Sequence, residues 1–170
     1  SKKGLIAALP SHFTDVKYLS EGGMGVVFRA FDEKLKRNVA IKVVQTAGHR
    51  REDYQIRLRR EAKSLCALRH PNVVRAFDYH EDEEITYLVL EYLEGLTLGE
   101  LAKNSPLSIN ETVHLMAQLA DGLSSIHAAK LLHRDIKPAN IMVTMEGQPL
   151  LIDFGLTIMT QKLDETRLTR

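Results

Sequence analysis

The first half of the chain alternates short apolar runs with charged or glycine-bounded turns, the period-two pattern of β-strands. Tyr18-Leu19, Val26 to Ala30 and Val39 to Val44 are β-branched or aromatic runs of this kind, and Val73 to Tyr79 and Ile85 to Leu90 make another pair. The acidic stretch Glu81-Asp82-Glu83-Glu84 between the last two predicts a solvated hairpin tip. Between the third and fourth runs, from about residue 53 to 68, Leu58, Ala62, Leu65 and Leu68 recur at spacings of three and four, which predicts an amphipathic helix. Arg57, Arg59, Arg60 and Lys63 decorate the rest of that helix and read as a solvated face in preference to a nucleic-acid patch.

The second half turns helical. Ser108-Ile109-Asn110-Glu111 is a capping box, with Ser at the N-cap and Glu at N3. It opens a helix whose Val113, Met116, Leu119/Ala120, Leu123 and Ile126/His127 form one apolar stripe, assigned here to the core. Leu131 to Ile152 then alternates short apolar strands with polar loops. No internal repeat, low-complexity tract or linker interrupts the chain. The expected fold class is α+β: a mostly antiparallel β-lobe with one helix, joined to a helical lobe.

Composition narrows the function classes. The chain has 170 residues, 44% hydrophobic and 26% charged, ordinary for a globular protein. Lys and Arg number 23 against 22 Asp and Glu, so no global basic field exists to hold nucleic acid or an anionic membrane. A single cysteine, Cys66, excludes an internal disulfide or a multi-cysteine zinc site and reads as an inert buried thiol. The longest uncharged run, Gly4 to Thr14, is too short to span a bilayer, and Pro10 ends the apolar stretch after Lys2 and Lys3 short of a signal peptide's core. These features place the chain in the cytoplasm. The seven histidines show no metal-ligand spacing.

Two segments carry early chemical signals. In Leu19-Ser20-Glu21-Gly22-Gly23-Met24-Gly25-Val26-Val27, glycines between two strand-like runs let backbone N–H groups approach phosphates where a Cβ would obstruct. No Gly-Lys-Ser/Thr follows, so this is not a P-loop. In Val39-Ala40-Ile41-Lys42, strand alternation puts Ala40 and Lys42 on one face and Ile41 and Val43 on the other. A lysine there either reaches water from an edge strand or meets an anion, and Glu61 on the following helix offers the ion pair for the second case.

His133-Arg134-Asp135-Ile136-Lys137-Pro138-Ala139-Asn140, followed by Asp153-Phe154-Gly155, decides the class. With Val39-Ala40-Ile41-Lys42 in order before it, the chain resembles the protein kinase family, in its serine/threonine branch, from roughly Phe13 to its end. Gly-Gly-Met-Gly-Val-Val-Phe together with the His-Arg-Asp loop is most similar to bacterial eukaryotic-like members. The resemblance implies a bilobal kinase fold, with an extension over 1–12, an N-lobe over 13–90, a hinge over 91–95 and a partial C-lobe over 96–170. It implies Asp135 as the base toward the attacking hydroxyl, Lys137 at the γ-phosphate, and Lys42, held by Glu61, at the α- and β-phosphates. Asn140 and Asp153 become hard oxygen ligands for Mg²⁺. Phe154 packs under the Glu61 helix and Gly155 lets the loop pivot. Leu90 takes the gatekeeper position, and Glu91 and Leu93 present hinge backbone to adenine. Leu19, Gly22 and Gly25 cover the nucleotide, Val27 and Ala40 roof the purine, and Met142 floors it.

Two departures qualify the resemblance. Ser20 stands where the Gly-rich pattern wants its first glycine, which implies weakened ATP affinity at most. Only 15 residues follow Gly155, and no Ala-Pro-Glu appears, so the activation segment is expected to be cut and the substrate-docking part of the helical lobe missing. Thr157, Thr160, Thr166 and Thr169 are the hydroxyls available to an activating phosphate. Apolar surface left by the cut invites self-association or a covering partner. The leading reading is a protein serine/threonine kinase catalytic region that uses ATP and Mg²⁺ and acts on protein Ser/Thr hydroxyls. The alternative is a truncated ATP-binding or pseudokinase-like regulatory module without turnover. A small-molecule kinase is disfavoured by Lys137-Pro138. A longer parent anchored in a membrane, as many bacterial relatives are, is compatible with all of this.

Overall fold

The computed structural model describes residues 2–22, 25–44 and 52–152, and in it the predicted apolar runs assemble into one antiparallel sheet. Strands β1 (Phe13–Gly22), β2 (Gly25–Asp32), β3 (Arg37–Val44), β4 (Ala76–Glu81) and β5 (Thr86–Glu91) stand in the order β1-β2-β3-β5-β4. Helix α1 (Lys2–Ala8) precedes the sheet and helix α2 (Glu52–Ala67) links β3 to β4. The second half contributes β6 (Gly95–Thr97), α3 (Leu98–Asn104), α4 (Ile109–Ala128), a 3-10 turn (Pro138–Asn140), β7 (Ile141–Thr144) and β8 (Pro149–Leu151). Strands β6, β7 and β8 form a second small sheet. The fold is α+β: a complete antiparallel sheet with its helix, joined to a partial helical lobe.

The large sheet separates two apolar clusters. Val26, Phe28, Ala30, Val39, Ile41, Val43, Tyr87 and Val89 project to one side, where Leu9 and Phe13 join them and α1 lays Leu5 and Ile6 over the edge. The residues 1–12, expected only as an extension, therefore include a short packed helix. The second cluster lies beyond the opposite face, where Leu58, Ala62 and Leu65 of α2 meet Val44, Leu88, Leu119, Ile126 and Ile141. The α2 stripe is the one the periodicity predicts, with Arg59, Arg60 and Lys63 exposed on its other side.

Turns are set by side chains that satisfy backbone donors. Asp32 is buried and accepts the N–H groups of Lys34 and Leu35, shaping the β2–β3 hairpin, in which Lys36 takes φ +52°. At the β4–β5 tip Asp82 accepts from Glu84 and Ile85. His80 first, and then those two N–H groups, hold its carboxyl down to about 2. The capping box at Ser108 forms as expected, with Ser108 Oγ accepting from Glu111 N–H. A second box at Thr97 and Glu100 opens α3.

Three expectations are corrected. The strand placed from Val73 starts at Ala76, because the Val74 N–H donates to Leu151 O and Val73 pairs with Leu151 of β8 instead of with β5. On α4 the buried positions are Leu115, Leu119, Gly122 and Ile126, with Leu123 half-buried. Val113 and Met116 of the predicted stripe are 63% and 50% exposed, and Ala120 and His127 are exposed too. The reason is contact geometry: α4 packs on β8 and on the loop at Asn72, where Gly122 brings the backbones together, and nothing described covers the neighbouring face. Cys66 is half-buried instead of buried, and desolvation pushes its thiol above the usual range, so it stays protonated and unreactive.

Candidate active site

The strand register explains which side chains look out from the sheet. Val27 pairs with Lys42, Arg29 with Ala40, Lys42 with Leu88 and Ala40 with Leu90. Directly paired residues share a face, so Val27, Ala40, Lys42, Leu88 and Leu90 line one surface while Ile41 and Val43 enter the core behind it. Lys42 is 4% exposed and sits on β3, which has neighbours on both sides. The edge-strand explanation for this lysine is thereby removed. Glu61, half-buried, lies on α2 next to Ala62, which packs in the cluster with Val44 and Leu88.

The glycine hairpin closes by backbone pairing. Gly22 faces Gly25 across β1 and β2, with Gly23 and Met24 outside the described residues. Gly25 has φ +140°, and a Cβ there would stand 1.9 Å from Val43 O, so only glycine fits. A Cβ on Gly22 would meet nothing within 4 Å. Ser20 lies in β1 opposite Val27, outside the positive-φ region, so the backbone there does not require a glycine. Leu19 occupies the register shift between Tyr18 and Ser20 and is 44% exposed.

The loop before β7 is built from side-chain hydrogen bonds. His133 is fully buried; its Nδ1 accepts from the Asp135 N–H at 3.3 Å, which leaves Nε2 to donate to Ile152 O at 3.0 Å. Arg134 takes φ +63°, a left-handed conformation that costs a non-glycine residue about 1–3 kcal/mol and turns the chain so that Asp135 projects from it. Asn140 is buried and spends its amide Nδ2 on Asp135, donating to the backbone O at 2.9 Å and to Oδ2 at 2.8 Å. The Lys137 ammonium lies 2.7 Å from the same Oδ2. These contacts, Lys137 first, hold the Asp135 carboxyl below the ordinary carboxylate range. Asn140 N–H donates to Lys137 O, and Ile152 N–H donates to Asn140 O, which ties the loop to the residue just before Asp153.

Asp135, Lys137 and Asn140 are therefore brought together, and Val27, Ala40 and Lys42 share one sheet face. Glu91 ends β5, and its N–H donates to Arg75 O at 2.8 Å. Leu93 and Met142 are half-buried, and Met142 is held between Thr97 of β6 and Leu150 of β8. Asp153, Phe154, Gly155, Thr157, Thr160, Thr166 and Thr169 lie outside the described residues. The sequence reading missed Arg29 and Tyr92: the guanidinium lies 5.5 Å from the Tyr92 ring centroid and 3.6 Å from Asp15, joining β2 to the segment after β5. Neither residue belongs to a motif, so only the sheet register could reveal them.

The donor set suits a nucleotide with a hard cation. A buried ammonium on the sheet face has the charge to offset a phosphate, the Gly25 approach leaves no room for a Cβ, and Asn140, with its amide nitrogen committed, keeps Oδ1 as a neutral hard oxygen.

The chain is similar to known protein kinases. The family model described as "Protein kinase domain" matches residues 13–169. The probable serine/threonine-protein kinase pknA2 of Bifidobacterium longum is 41% identical over 145 residues, covering 83% of this chain and 19% of that protein. PrkC of Bacillus subtilis is 38% identical, covering 83% and 22% respectively. PknB of Mycobacterium tuberculosis is 35% identical, covering 86% and 25%. The chain thus spans a quarter or less of these relatives' length. Among solved structures, the kinase domain of Mycobacterium tuberculosis PknI superposes with a TM-score of 0.74 at 25% identity, covering 88% of this chain and 64% of that one.

Proposed function

Because the chain belongs to the protein kinase domain family, in its bacterial serine/threonine branch, we propose that it forms the catalytic region of an ATP- and Mg²⁺-dependent kinase acting on protein Ser/Thr hydroxyls. The observation that carries the reading is the Asp135–Lys137–Asn140 cluster, in which one carboxylate oxygen is shared by an ammonium and an amide.

Asp135, kept ionised by its neighbours, orients the substrate hydroxyl and takes its proton as the oxygen attacks the γ-phosphorus and the bond to the β-phosphate oxygen breaks, releasing ADP. Lys137 is half-exposed and within reach of both Asp135 and a phosphoryl group, so it offsets charge on the transferring oxygens. Lys42, positioned by Glu61, holds the α- and β-phosphates. Asn140 and Asp153 would hold Mg²⁺, which neutralises the phosphate oxygens and supplies an in-line template. Leu19, Gly22 and Gly25 cover the nucleotide; Val27, Ala40 and Met142 enclose the purine, with Glu91 and Leu93 offering backbone groups to its edge. The proposed domain limits are 1–12, 13–90, 91–95 and 96–170. No helix among the described residues is long and apolar enough to cross a membrane, and we assign the region itself to the cytoplasm.

Radiolabelled ATP, Mg²⁺ and a generic basic protein test the activity, in the chain extended to the length of the PknI domain. Asp135→Asn is expected to lower transfer by at least about a hundredfold, the usual scale of a general base, while Mg²⁺-ATP still raises Tm. Undiminished transfer by Asp135→Asn sinks the assignment. The second reading, a nucleotide-binding module without turnover, is favoured by the exposed face of α4. It predicts that the 170-residue chain binds Mg²⁺-ATP and transfers nothing.

A further inference from the structure

The side of the large sheet away from Lys42 carries a cavity of about 580 Å³, a size typical of small-molecule sites. It is bounded by β1, the β2–β3 turn, β4, β5 and Arg69, two residues past the end of α2. Three guanidinium groups line it: Arg37, Arg69 and Arg75. Each lies against neutral groups. Arg37 and Arg75 both lie over the Phe77 ring, at 5.0 and 5.2 Å from its centroid. Arg69 Nη1 donates to Cys66 O and Leu68 O at 2.6 and 2.7 Å, capping the end of α2. Among the described residues, no carboxylate comes within ion-pair distance of any of the three.

Two acids share the lining, and each turns one oxygen to backbone N–H groups. Asp32 Oδ1 accepts two backbone N–H groups of its turn, and Asp78 Oδ1 accepts from Tyr79 N–H. Lys34 adds a fourth cation. Tyr87, buried at the floor and pushed up to about 12 by desolvation and by Asp78, Asp82 and Asp32, stays neutral. Guanidinium groups with no carboxylate beside them keep their forks available, and those forks match tetrahedral oxyanions.

We propose that this cavity is a binding site for a small phosphomonoester dianion carried on an apolar or aromatic group, with Arg37 and Arg75 at the phosphate and Phe77 and Tyr87 against the apolar part. The site is separate from the proposed ATP cleft and does not depend on kinase activity.

Phenyl phosphate titrated into the full chain, followed by ¹H–¹⁵N NMR, tests it. Saturable shifts at the Phe77 and Tyr87 amides are expected, with inorganic phosphate binding more weakly. Arg37→Gln and Arg75→Gln, both at exposed positions, should each weaken binding roughly tenfold, the scale of a lost charge-assisted contact. Lys103→Gln, which removes the same charge from α3, should not, and the Lys42→Met variant should bind as the parent does. Circular dichroism of each variant confirms folding. The proposal is overturned by equal affinity for inorganic phosphate, by unchanged affinity in both arginine variants, or by loss of binding in Lys42→Met. It is equally overturned if sedimentation shows a dimer whose formation abolishes phenyl phosphate binding, since the occupant is then a second copy of the chain.

Discussion

The hairpin between Gly22 and Gly25 and the loop from His133 to Asn140 both present groups to the same proposed substrate, and they are held in opposite ways. In the hairpin, shape comes from backbone: strand pairing, the φ of Gly25 and the missing Cβ against Val43. In the loop, shape comes from side chains: His133, Asp135, Lys137 and Asn140 bond to one another and to nearby backbone. The first is sensitive to volume and indifferent to charge. The second is sensitive to charge and hydrogen-bonding capacity at His133, Asp135, Lys137 and Asn140. The difference teaches where tolerance lies: Ser20 can replace a glycine in the hairpin because its backbone is ordinary strand, whereas no member of the loop has a spare role.

Substitutions that separate the two regions rank as follows. Gly25→Ala forces a Cβ onto Val43 O at an unfavourable φ and should cost about 3 kcal/mol, seen as a Tm lower by roughly 6–12 °C, while Gly22→Ala should stay within about 0.5 kcal/mol. Equal effects of the two would remove the backbone explanation. Asn140→Ala leaves Asp135 without its amide donor and should cost about 1–3 kcal/mol in denaturant melts. The same variant is expected to weaken the Mg²⁺ dependence of nucleotide binding.

The α4 helix gives a parallel contrast. Leu119→Ala should cost about 2–5 kcal/mol, whereas Met116→Gln, at a position 50% exposed, should change stability by less than about 0.5 kcal/mol. A large loss in Met116→Gln would mean that its face is covered in solution.

The smallest effect is in pH. The folded Asp135 carboxyl lies below its ordinary value of 3.8, so its pairing with Lys137 stabilises fully above that value. The contribution fades as pH falls from about 3.8 through the depressed folded value. NMR titration of the Asp135 side chain should show the low midpoint, and Lys137→Met should move it upward.

How much of this was legible in the sequence follows from range. The α2 stripe, the Ser108 box and the alternation around Lys42 are local patterns, and each appears where the periodicity places it. The helix α4 shows the limit. Its apolar positions outnumber its buried ones because the chain offers a contact surface only at β8 and Asn72, and nothing in the helix itself marks which neighbouring face will meet it. Val73 and Val74 are strand-like by composition and give their backbone to Leu151, a partner 77 residues or more along the chain. The Arg29–Tyr92 contact and the arginine-lined cavity likewise join residues with no common motif.

By itself the sequence determined the types of the main strands and of α2 and α4, the identity of the loop residues and the family they belong to, because these rest on spacing over a few residues and on the chemistry of single side chains. Only the tertiary structure decided that Lys42 stands on an interior strand, that Asp135 shares one oxygen with Lys137 and an amide of Asn140, and which face of α4 is buried. Burial and pairing are properties of what lies across a gap in space, and a single chain read in order carries no record of that neighbour.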